Sequence, residues 1–171
     1  SSDLAFLDKR HGLLDGVVIS GGEPTLQPDL LPFAAQLHEH DFLVKLDTNG
    51  YRPEVLAAML DGGLVDYVAM DIKASPAKYA LAAGVPVDIA RIEQSMALLR
   101  TAQIAYEFRT TIVPGILEEQ DIADIARWIA GAPHYYLQQF VAQNTLDPAI
   151  LSSTPSLPQR LQAMAELAKA A

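Results

Sequence analysis

Five short runs rich in β-branched and aromatic residues alternate with stretches of helical spacing along this chain of 171 residues. Strands that alternate with helices pair in parallel and are joined by right-handed crossovers. The pattern therefore predicts an α/β fold, a parallel sheet or barrel, within a single domain over residues 1–171. The runs predict strands at 16–20, 42–48, 65–72, 104–113 and 135–140, and the spacing between and after them predicts helices at about 28–40, 53–61, 88–102, 118–130 and 158–170.

Composition narrows the class of protein. With 12 basic and 21 acidic residues, the formal charge is −9, which argues against a nucleic-acid partner because phosphates would be repelled. We find no apolar run near the ~20 residues that a membrane span needs and no cationic, apolar leader, so we expect a cytoplasmic protein without a membrane partner. Cysteine is absent from the sequence, which excludes disulfides and thiolate-held metals within these residues.

Polar side chains and glycines follow the predicted strands. Ligands of parallel α/β folds bind at the carboxyl ends of the strands, so these residues are the candidate site. Glu23 suits a ligand's ammonium group, and Lys73 or Arg109 suits its carboxylate. The oxygens of Asp47, Thr48 and Asp71 could also hold a hard cation. The candidate cofactor-binding set is Gly21, Gly22, Glu23, Asp47, Thr48, Asp71, Lys73, Arg109, Gln139 and Phe140.

Each candidate also has a plainer interpretation. Two glycines after a strand are often an ordinary turn, and Asn49-Gly50 is common turn chemistry. Asp71 and Lys73 could form a surface ion pair of little energetic value, and Arg109 could simply line the polar face of an alternating strand. His38 and His40 lie two residues apart and do not share a helix face, so we interpret both as solvated rather than as metal ligands. The coincidence of polar groups at successive strand ends favours a binding site.

Five motifs carry a family resemblance. In chain order they read DGVVISGGEPTLQ, VKLDTNGYRPEVL, DYVAMDIKASPAKY, EFRTTIVPGI and YYLQQF. The first resembles the second strand and Gly-Gly-Glu motif of radical S-adenosylmethionine (radical SAM) enzymes. The others resemble later strands of the activating enzymes for glycyl radical proteins. The last, with its downstream Thr145 to Pro148, is most similar to the activating protein of anaerobic ribonucleoside-triphosphate reductase.

The resemblance implies a definite fold and chemistry. It implies a partial (β/α)6 radical SAM barrel and an oxidoreductase in which a [4Fe–4S] cluster, held by Cys-x3-Cys-x2-Cys, reductively cleaves S-adenosylmethionine. The resulting 5′-deoxyadenosyl radical takes a hydrogen atom from a backbone glycine of the partner enzyme. An electron donor and a glycyl radical enzyme, such as anaerobic ribonucleotide reductase, are the implied partners.

Residue roles carry over from the same resemblance. Gly21, Gly22 and Glu23 would receive the methionine amino group. Asp47, Thr48 and Asp71 match positions that hold a cation or polar contacts near the carboxylate. The remaining matches are Lys73 and Arg109, at positions that contact S-adenosylmethionine, and Gln139 and Phe140, on the strand where adenosine packs; Val141 stands where related activating enzymes often have histidine.

The missing cysteines depart from the family pattern. Only five strand-helix units are predicted, and residues 1–11 look like the end of a helix with an apolar stripe at Leu4, Leu7 and Phe6. We therefore expect a truncated radical SAM core that lacks the first strand and the cluster loop. Without cluster ligands no catalytic residue is assigned, and we expect these residues alone to be inactive. An uncovered first strand would also favour self-association.

Two other functions stay open. The chain could derive from a radical SAM enzyme of small-molecule or cofactor biosynthesis, which genomic pairing would distinguish from an activating enzyme. It could instead be a non-enzymatic, naturally cysteine-free module that binds S-adenosylmethionine or a partner protein. Calorimetry with S-adenosylmethionine and the coding sequence around the first residue would separate these possibilities.

Overall fold

A computed structural model describes residues 2–10, 12–141 and 158–171. All five predicted strands are present, each slightly shorter than predicted, because the flanking residues of each run lie outside the strands. All of the differences, including those at Phe42 and Val65, fall within the usual one or two residues at element ends. The strands are β1 (Gly16–Ile19), β2 (Leu43–Thr48), β3 (Tyr67–Asp71), β4 (Ala105–Ile112) and β5 (Tyr135–Gln139).

The predicted helices are also confirmed, and two short elements are additional. A 3-10 turn at Pro24–Leu26 and the five-residue helix α4 are too short to show helical periodicity in the sequence. The terminal helix behaves as expected in part: Leu7 is buried, but Phe6 is 53% exposed beneath the Arg10 guanidinium. The helices are α1 (Ser2–Asp8), α2 (Leu30–Glu39), α3 (Pro53–Asp61), α4 (Tyr79–Ala83), α5 (Ile89–Thr101), α6 (Glu119–Trp128) and α7 (Pro158–Ala170).

The chain divides into two compact units, and the first comprises residues 1–71 and 90–106. Its strands pair in parallel in the order β1-β2-β3, with Ile19 opposite Leu46 and Leu46 opposite Val68. The side chains of β2 alternate: Val44, Leu46 and Thr48 are buried, whereas the intervening residues are only half-buried or exposed. One face of this sheet is therefore apolar core and the other is more open.

Helices cover the apolar face of the first unit because their buried residues recur at helical spacing. On α2, for example, Leu30, Ala34 and Leu37 are spaced four and three residues apart and are fully or almost fully buried. Burial of each large side chain stabilises the fold by about 1.5–3 kcal/mol. The corresponding buried residues are Pro53, Leu56 and Met59 on α3 and Ile92, Ser95, Met96 and Leu99 on α5.

The second unit comprises residues 72–89 and 107–171. Here β4 and β5 pair in parallel, from Phe108 opposite Tyr135 to Ile112 opposite Gln139. A capping box starts α6, in which the Glu118 side chain accepts from the helix backbone and the Asp121 carboxylate accepts from the Glu118 amide at 2.8 Å. The Lys78 ammonium donates to the same Asp121 oxygen at 2.8 Å, which ties the segment before α4 to α6.

Parallel strands alternating with helices confirm the predicted α/β class. The single-domain assignment for residues 1–171 stays a prediction. Across the described ranges, no helix combines the length and hydrophobicity that crossing a membrane requires.

Candidate functional site

The Gly21-Gly22 stretch forms an open loop directly after β1. A Cβ atom added to either glycine would meet no atom within 4 Å, and both residues are exposed. Gly21 has a φ of +149°, which disfavours any side chain, whereas the φ of Gly22 lies outside the left-handed range. Neither glycine makes a hydrogen bond with the residues that the structure describes. Space and uncommitted backbone polar groups are therefore available at this loop.

A cavity of about 410 Å³ adjoins this loop in the first unit. Its lining includes the loop residues from Ser20 to Glu23 and, on α2, Leu30, Phe33 and Gln36. The lining therefore combines backbone polar groups and the carboxylates of Glu23 and Asp29 with apolar side chains. Ligand pockets typically have this mixture of a few polar groups in apolar surroundings.

The Glu23 carboxylate joins the ends of β1 and β2. Its Oε1 atom accepts hydrogen bonds from the Thr25 amide at 3.1 Å, the Thr25 hydroxyl at 2.6 Å and the Thr48 hydroxyl at 2.8 Å. Its Oε2 atom accepts from the Asn49 amide at 2.7 Å. We call these four residues the Glu23 clamp. The sequence predicted that Glu23 receives a ligand amine, and the structure shows that its oxygens already accept four protein hydrogen bonds.

The loop that follows β2 is held on its other side by α5. The Ser95 hydroxyl donates to the Gly50 carbonyl at 2.6 Å, and Arg91 Nε donates to the Tyr51 carbonyl at 2.8 Å. Gly50 is left-handed, with a φ of +71°, and a Cβ atom there would lie 2.1 Å from Met70 Cε. The Tyr51 amide donates to Asn49 Oδ1 at 2.9 Å, so the turn interpretation of Asn49-Gly50 describes their local role.

The three predicted cation ligands do not share one side of the sheet. Thr48 is buried on the helix-covered face, and its hydroxyl accepts from the Gly50 amide at 3.1 Å while donating to Glu23. Asp47 lies on the opposite face, where the register places it beside Ala69 and on the same side as Asp71. Lys45 Nζ lies 3.9 Å from Asp47 Oδ1. The alternation separates the Thr48 side chain from the two carboxylates, and a role in cation binding stays a prediction for all three.

In the second unit, a chain of hydroxyl groups holds the segment that carries Lys73. The buried Thr110 hydroxyl donates to the Ile72 carbonyl at 2.7 Å and accepts from the Tyr135 hydroxyl at 2.9 Å. We call Tyr135, Thr110 and Ile72 the hydroxyl relay. Burial raises the pKa of Tyr135 to about 12, because the phenolate would lose its hydration. The relay is therefore neutral throughout the physiological pH range.

The remaining predicted residues of the second unit lie close to this relay. The Ile72 amide donates to the Arg109 carbonyl at 2.8 Å, so the backbone segments carrying Lys73 and Arg109 are neighbours. Arg109 lies within β4, three residues before its end at Ile112, and Lys73 is exposed. Gln139 is exposed at the end of β5, whereas Phe140 is buried. Arg109 thus lies inside a strand and on its more open face, as the alternating pattern predicted.

Sequence reasoning missed several positioning groups. His38 was interpreted as solvated, but its Nε2 atom lies 2.8 Å from Asp66 Oδ2, which also accepts from the Val44 amide at 2.7 Å. Thr25 and Ser95 were not singled out, although both are buried and both hydroxyls reach the loops of the candidate site. No local pattern marks these residues, since their partners are distant in sequence. Only Thr25, two residues after Glu23, sits at a spacing typical of side-chain capping.

The potential metal ligands among the described residues do not support a metal centre. The described part of the chain contains no group of three or more histidine, cysteine, aspartate or glutamate residues placed to hold a metal ion. Iron–sulfur clusters are held mainly by cysteine thiolates, and the 171 residues include none. The residues present therefore do not fit a [4Fe–4S] cluster as its ligands.

Comparisons with known proteins agree on one family. Residues 4–129 match the model of the Radical SAM superfamily. A protein of Methanocaldococcus jannaschii, named as a candidate glycyl-radical enzyme activating enzyme, is 35% identical over 160 residues, which cover 91% of this chain and 67% of that protein. A second protein of that organism with the same kind of name is 46% identical over 61 residues, covering 36% of this chain and 23% of that protein.

Solved structures show the same fold. A domain of pyruvate-formate lyase-activating enzyme from Bacteroides vulgatus matches with a TM-score of 0.69 at 17% identity, over 91% of this chain and 93% of that one. TYW1 with a lysine-pyruvate adduct bound matches with a TM-score of 0.66 at 18% identity, over 91% of this chain and 50% of that one. These identities are low, so the likeness concerns the fold alone.

Proposed function

We propose that the open Gly21-Gly22 loop receives the amino group of S-adenosylmethionine. The chain belongs to the radical SAM superfamily and to its glycyl-radical enzyme activating branch. The observation that carries this proposal is the open space around Gly22. The backbone angles of Gly22 do not require glycine and a side chain would clash with nothing, so the protein's own packing does not explain its lack of one. A ligand that approaches the backbone closely does explain it.

From the family resemblance alone, we also propose contacts to S-adenosylmethionine for the other predicted residues. Lys73 and Arg109 are cations for its carboxylate, and Gln139 and Phe140 offer polar and apolar contacts for adenosine. Asp47 and Asp71 contribute negative charge on one face of the first unit's sheet. The chemistry that the bound group supplies in this family is a carbon radical, formed when S-adenosylmethionine is cleaved by one electron from a [4Fe–4S] cluster. What these residues contribute is binding and orientation.

Substitution of Gly22 tests the binding proposal. Gly22→Val places a branched side chain in the open space without a clash, so the fold is expected to stay intact while the affinity for S-adenosylmethionine falls at least tenfold. Calorimetry measures the affinity, and circular dichroism checks the fold. Ala80→Val, at an exposed position of α4, is the matched control and is expected to bind like the wild type. Equal affinity in both variants would rule out contact between Gly22 and the ligand.

We further propose that residues 1–171 alone carry out no radical chemistry, because they provide no thiolate for the cluster. The test is anaerobic reconstitution with iron and sulfide, followed by ultraviolet-visible spectroscopy. We expect no cluster absorption beyond that of a buffer control. A stoichiometric cluster in this chain would contradict the proposal.

For the partner, we propose anaerobic ribonucleotide reductase, with an external reductant as electron donor. The support is the resemblance of residues 135–148 to the activating protein of that enzyme. Biolayer interferometry with immobilised chain compares purified anaerobic ribonucleotide reductase with pyruvate formate-lyase, a glycyl radical enzyme of another class. We expect tighter binding to the reductase, and a preference for the lyase would contradict this assignment.

Self-association through β1 is a separate proposal. Among the described strands, β1 pairs only with β2, and Val18 on β1 is 55% exposed. An uncovered strand edge offers backbone groups to a second chain. Light scattering after size-exclusion chromatography should show dimers or larger species that Val18→Lys reduces, whereas a monodisperse monomer would contradict the proposal. We also place the protein in the cytoplasm, which cell fractionation with an antibody tests.

A further inference from the structure

A groove of about 550 Å³ lies in the second unit, between β5 and α7. We call it the β5–α7 groove, and on the strand it is lined by Tyr135, Tyr136 and Leu137. Successive side chains of a strand point to opposite faces of the sheet, so a space that touches three consecutive residues runs along the edge of the strand. The groove therefore borders the edge of β5 rather than one face of the sheet.

The backbone at this edge is open. Among the described strands, β5 pairs only with β4. The Phe108 amide donates to the His134 carbonyl at 3.0 Å, and alternate residues of a parallel strand bond to the same neighbour. The backbone groups of Tyr136 therefore face β4, whereas those of Tyr135 and Leu137 face the open edge. Within the described residues, these outward N–H and C=O groups make no hydrogen bond.

The sequence of β5 does not protect this edge. Natural edge strands are commonly blocked by lysine, by proline or by a bulge, because free backbone groups pair readily with another chain. The strand reads YYLQQ, without a charge or a proline. Its pairing with β4 continues through all five residues without a bulge. The edge is therefore able to accept one more strand.

One face of α7 completes the groove. Leu161, Ala165 and Ala168 recur at spacings of four and three residues and supply an apolar wall, beside which Gln162 and Lys169 lie. Lys169 is the one charged residue of this lining. A strand added to β5 would therefore place alternate side chains against an apolar wall and within reach of a cation.

We propose that the β5–α7 groove is a docking site, in which an extended segment of the glycyl radical enzyme adds a strand to β5. The inference rests on the proposed function for the identity of this partner. Strand addition combines main-chain hydrogen bonds with pockets for alternate side chains, and the groove offers both. The segment that fits has apolar side chains at alternate positions, no proline between them and a carboxylate for Lys169.

A partner protein suits this groove better than a second copy of the chain. A copy that paired through its own β5 would bring its own α7 with it, whereas the space between β5 and α7 suits a strand alone. The chain belongs to a branch of enzymes that activate another protein, and that protein can supply the strand. None of the residues that line the groove is among the proposed contacts to S-adenosylmethionine.

Hydrogen exchange read by NMR tests the edge directly. In the free chain the Leu137 amide should exchange rapidly, because it faces the open edge, whereas the Tyr136 amide should be protected by β4. In the complex with a glycyl radical enzyme, exchange at Leu137 should slow about tenfold or more while Tyr136 keeps its rate. Protection of Leu137 in the free chain, or unchanged exchange in the complex, would overturn the inference.

Substitutions on α7 test the groove. Ala165→Arg fills it, and Ala163→Arg, exposed on the same helix and outside the lining, is the matched control. Biolayer interferometry compares the variants against anaerobic ribonucleotide reductase and pyruvate formate-lyase, and circular dichroism checks their fold. Whichever enzyme binds the wild-type chain should bind Ala165→Arg about tenfold more weakly or worse, and Ala163→Arg like the wild type.

A pair of strand variants checks the main-chain bonds. Leu137→Pro removes an outward N–H without removing a ladder bond and should weaken docking more than Leu137→Ala, which keeps that N–H. Unchanged enzyme binding in Ala165→Arg and Leu137→Pro would overturn the docking site and leave the activating function intact. If neither enzyme binds the wild-type chain, both proposals fail. A free dimer that Ala165→Arg converts to a monomer would show a second copy in the groove and also contradict the inference.

Discussion

The two units hold their strand-end loops by different chemistry. In the first unit, the carboxylate of Glu23 gathers four donors at a partly buried position. In the second unit, the loop is held by the neutral hydroxyl relay, in which Tyr135 donates to Thr110 and Thr110 donates to the Ile72 carbonyl. Thr110 is only 1% exposed. Burying a carboxylate costs more than burying a hydroxyl, which agrees with the half-buried Glu23 and the fully buried Thr110.

The two sets of hydrogen bonds should therefore tolerate different kinds of change. The Glu23 clamp depends on the exact placement of several donors around one group, and the adjacent Gly50, whose amide donates to Thr48, is left-handed and disfavours a side chain. The hydroxyl relay requires that Tyr135 stay protonated and that the Thr110 hydroxyl stay buried from solvent. Changes of shape should therefore damage the first unit most, and changes of protonation should damage the second.

The largest effect is expected from Gly50→Ala. The new Cβ would lie 2.1 Å from Met70 Cε and 2.8 Å from its sulfur, and the residue would keep an unfavourable φ of +71°. Overpacking and the left-handed conformation together should lower the free energy of unfolding by about 2–5 kcal/mol, as measured by urea denaturation. Gly63→Ala, with a φ of +59° and open space around it, should lose only about 1–2 kcal/mol. Equal losses would show that Met70 adjusts freely.

Alkaline pH should weaken the relay selectively. The pKa of Tyr135 is near 10 in the unfolded chain and about 12 in the fold, so the folded state keeps its proton more tightly. Its contribution is fully present below pH 10 and is lost as the pH rises from 10 to 12, by at most about 3 kcal/mol. Denaturation at several pH values should show a smaller loss in Tyr135→Phe, whereas the exposed control Tyr136→Phe should behave like the wild type. The same alkaline slope in both variants would assign the loss to other groups.

Removal of the central hydroxyl of the relay tests its geometry at neutral pH. Thr110→Val keeps the shape but leaves the Ile72 carbonyl and the Tyr135 hydroxyl without this partner, so a loss of about 2 kcal/mol is expected. Thr111→Val, at the next and exposed position of β4, should change the unfolding free energy by no more than about 0.5 kcal/mol. Comparison of the two midpoints in urea decides between a structural relay and a general intolerance of valine.

The smallest expected effect concerns the far end of the clamp's hydrogen bonds. Ser95→Ala removes a donor to the Gly50 carbonyl and should cost about 1 kcal/mol in thermal or urea unfolding. Thr101→Ala on the same helix loses only exposed contacts to helix carbonyls and should be nearly neutral. A neutral Ser95→Ala would show that Glu23 holds the β2 loop without help from the Ser95 hydroxyl.

The sequence predicted the fold well because the relevant signals are local. Each strand is a β-branched or aromatic run, and each long helix carries a periodic apolar face, as Leu30, Ala34 and Leu37 do on α2. Helix α4 and the 3-10 turn at Pro24–Leu26 were missed because three to five residues are too few to show a period. The predicted strand bounds differ from the observed ones where a residue of the run, such as Phe42, is buried but lies outside the strand.

The candidate site was predictable as a set of positions but not as a set of contacts. The motif positions follow from strand ends, and the family resemblance is confirmed by the superfamily match. The contacts depend on groups brought together by folding, such as Ser95 at Gly50 and Asp66 at His38, which no spacing rule links. The roles of the predicted site residues therefore stay predictions, while their surroundings are now defined.

The short sequence separation within the Glu23 clamp has a consequence for biosynthesis. All of its members lie between residues 23 and 49, so closing the clamp requires only a small loop and little loss of chain entropy. During vectorial synthesis these residues leave the ribosome well before Ser95 does. All four members of the clamp are therefore available for pairing before α5 has been synthesised.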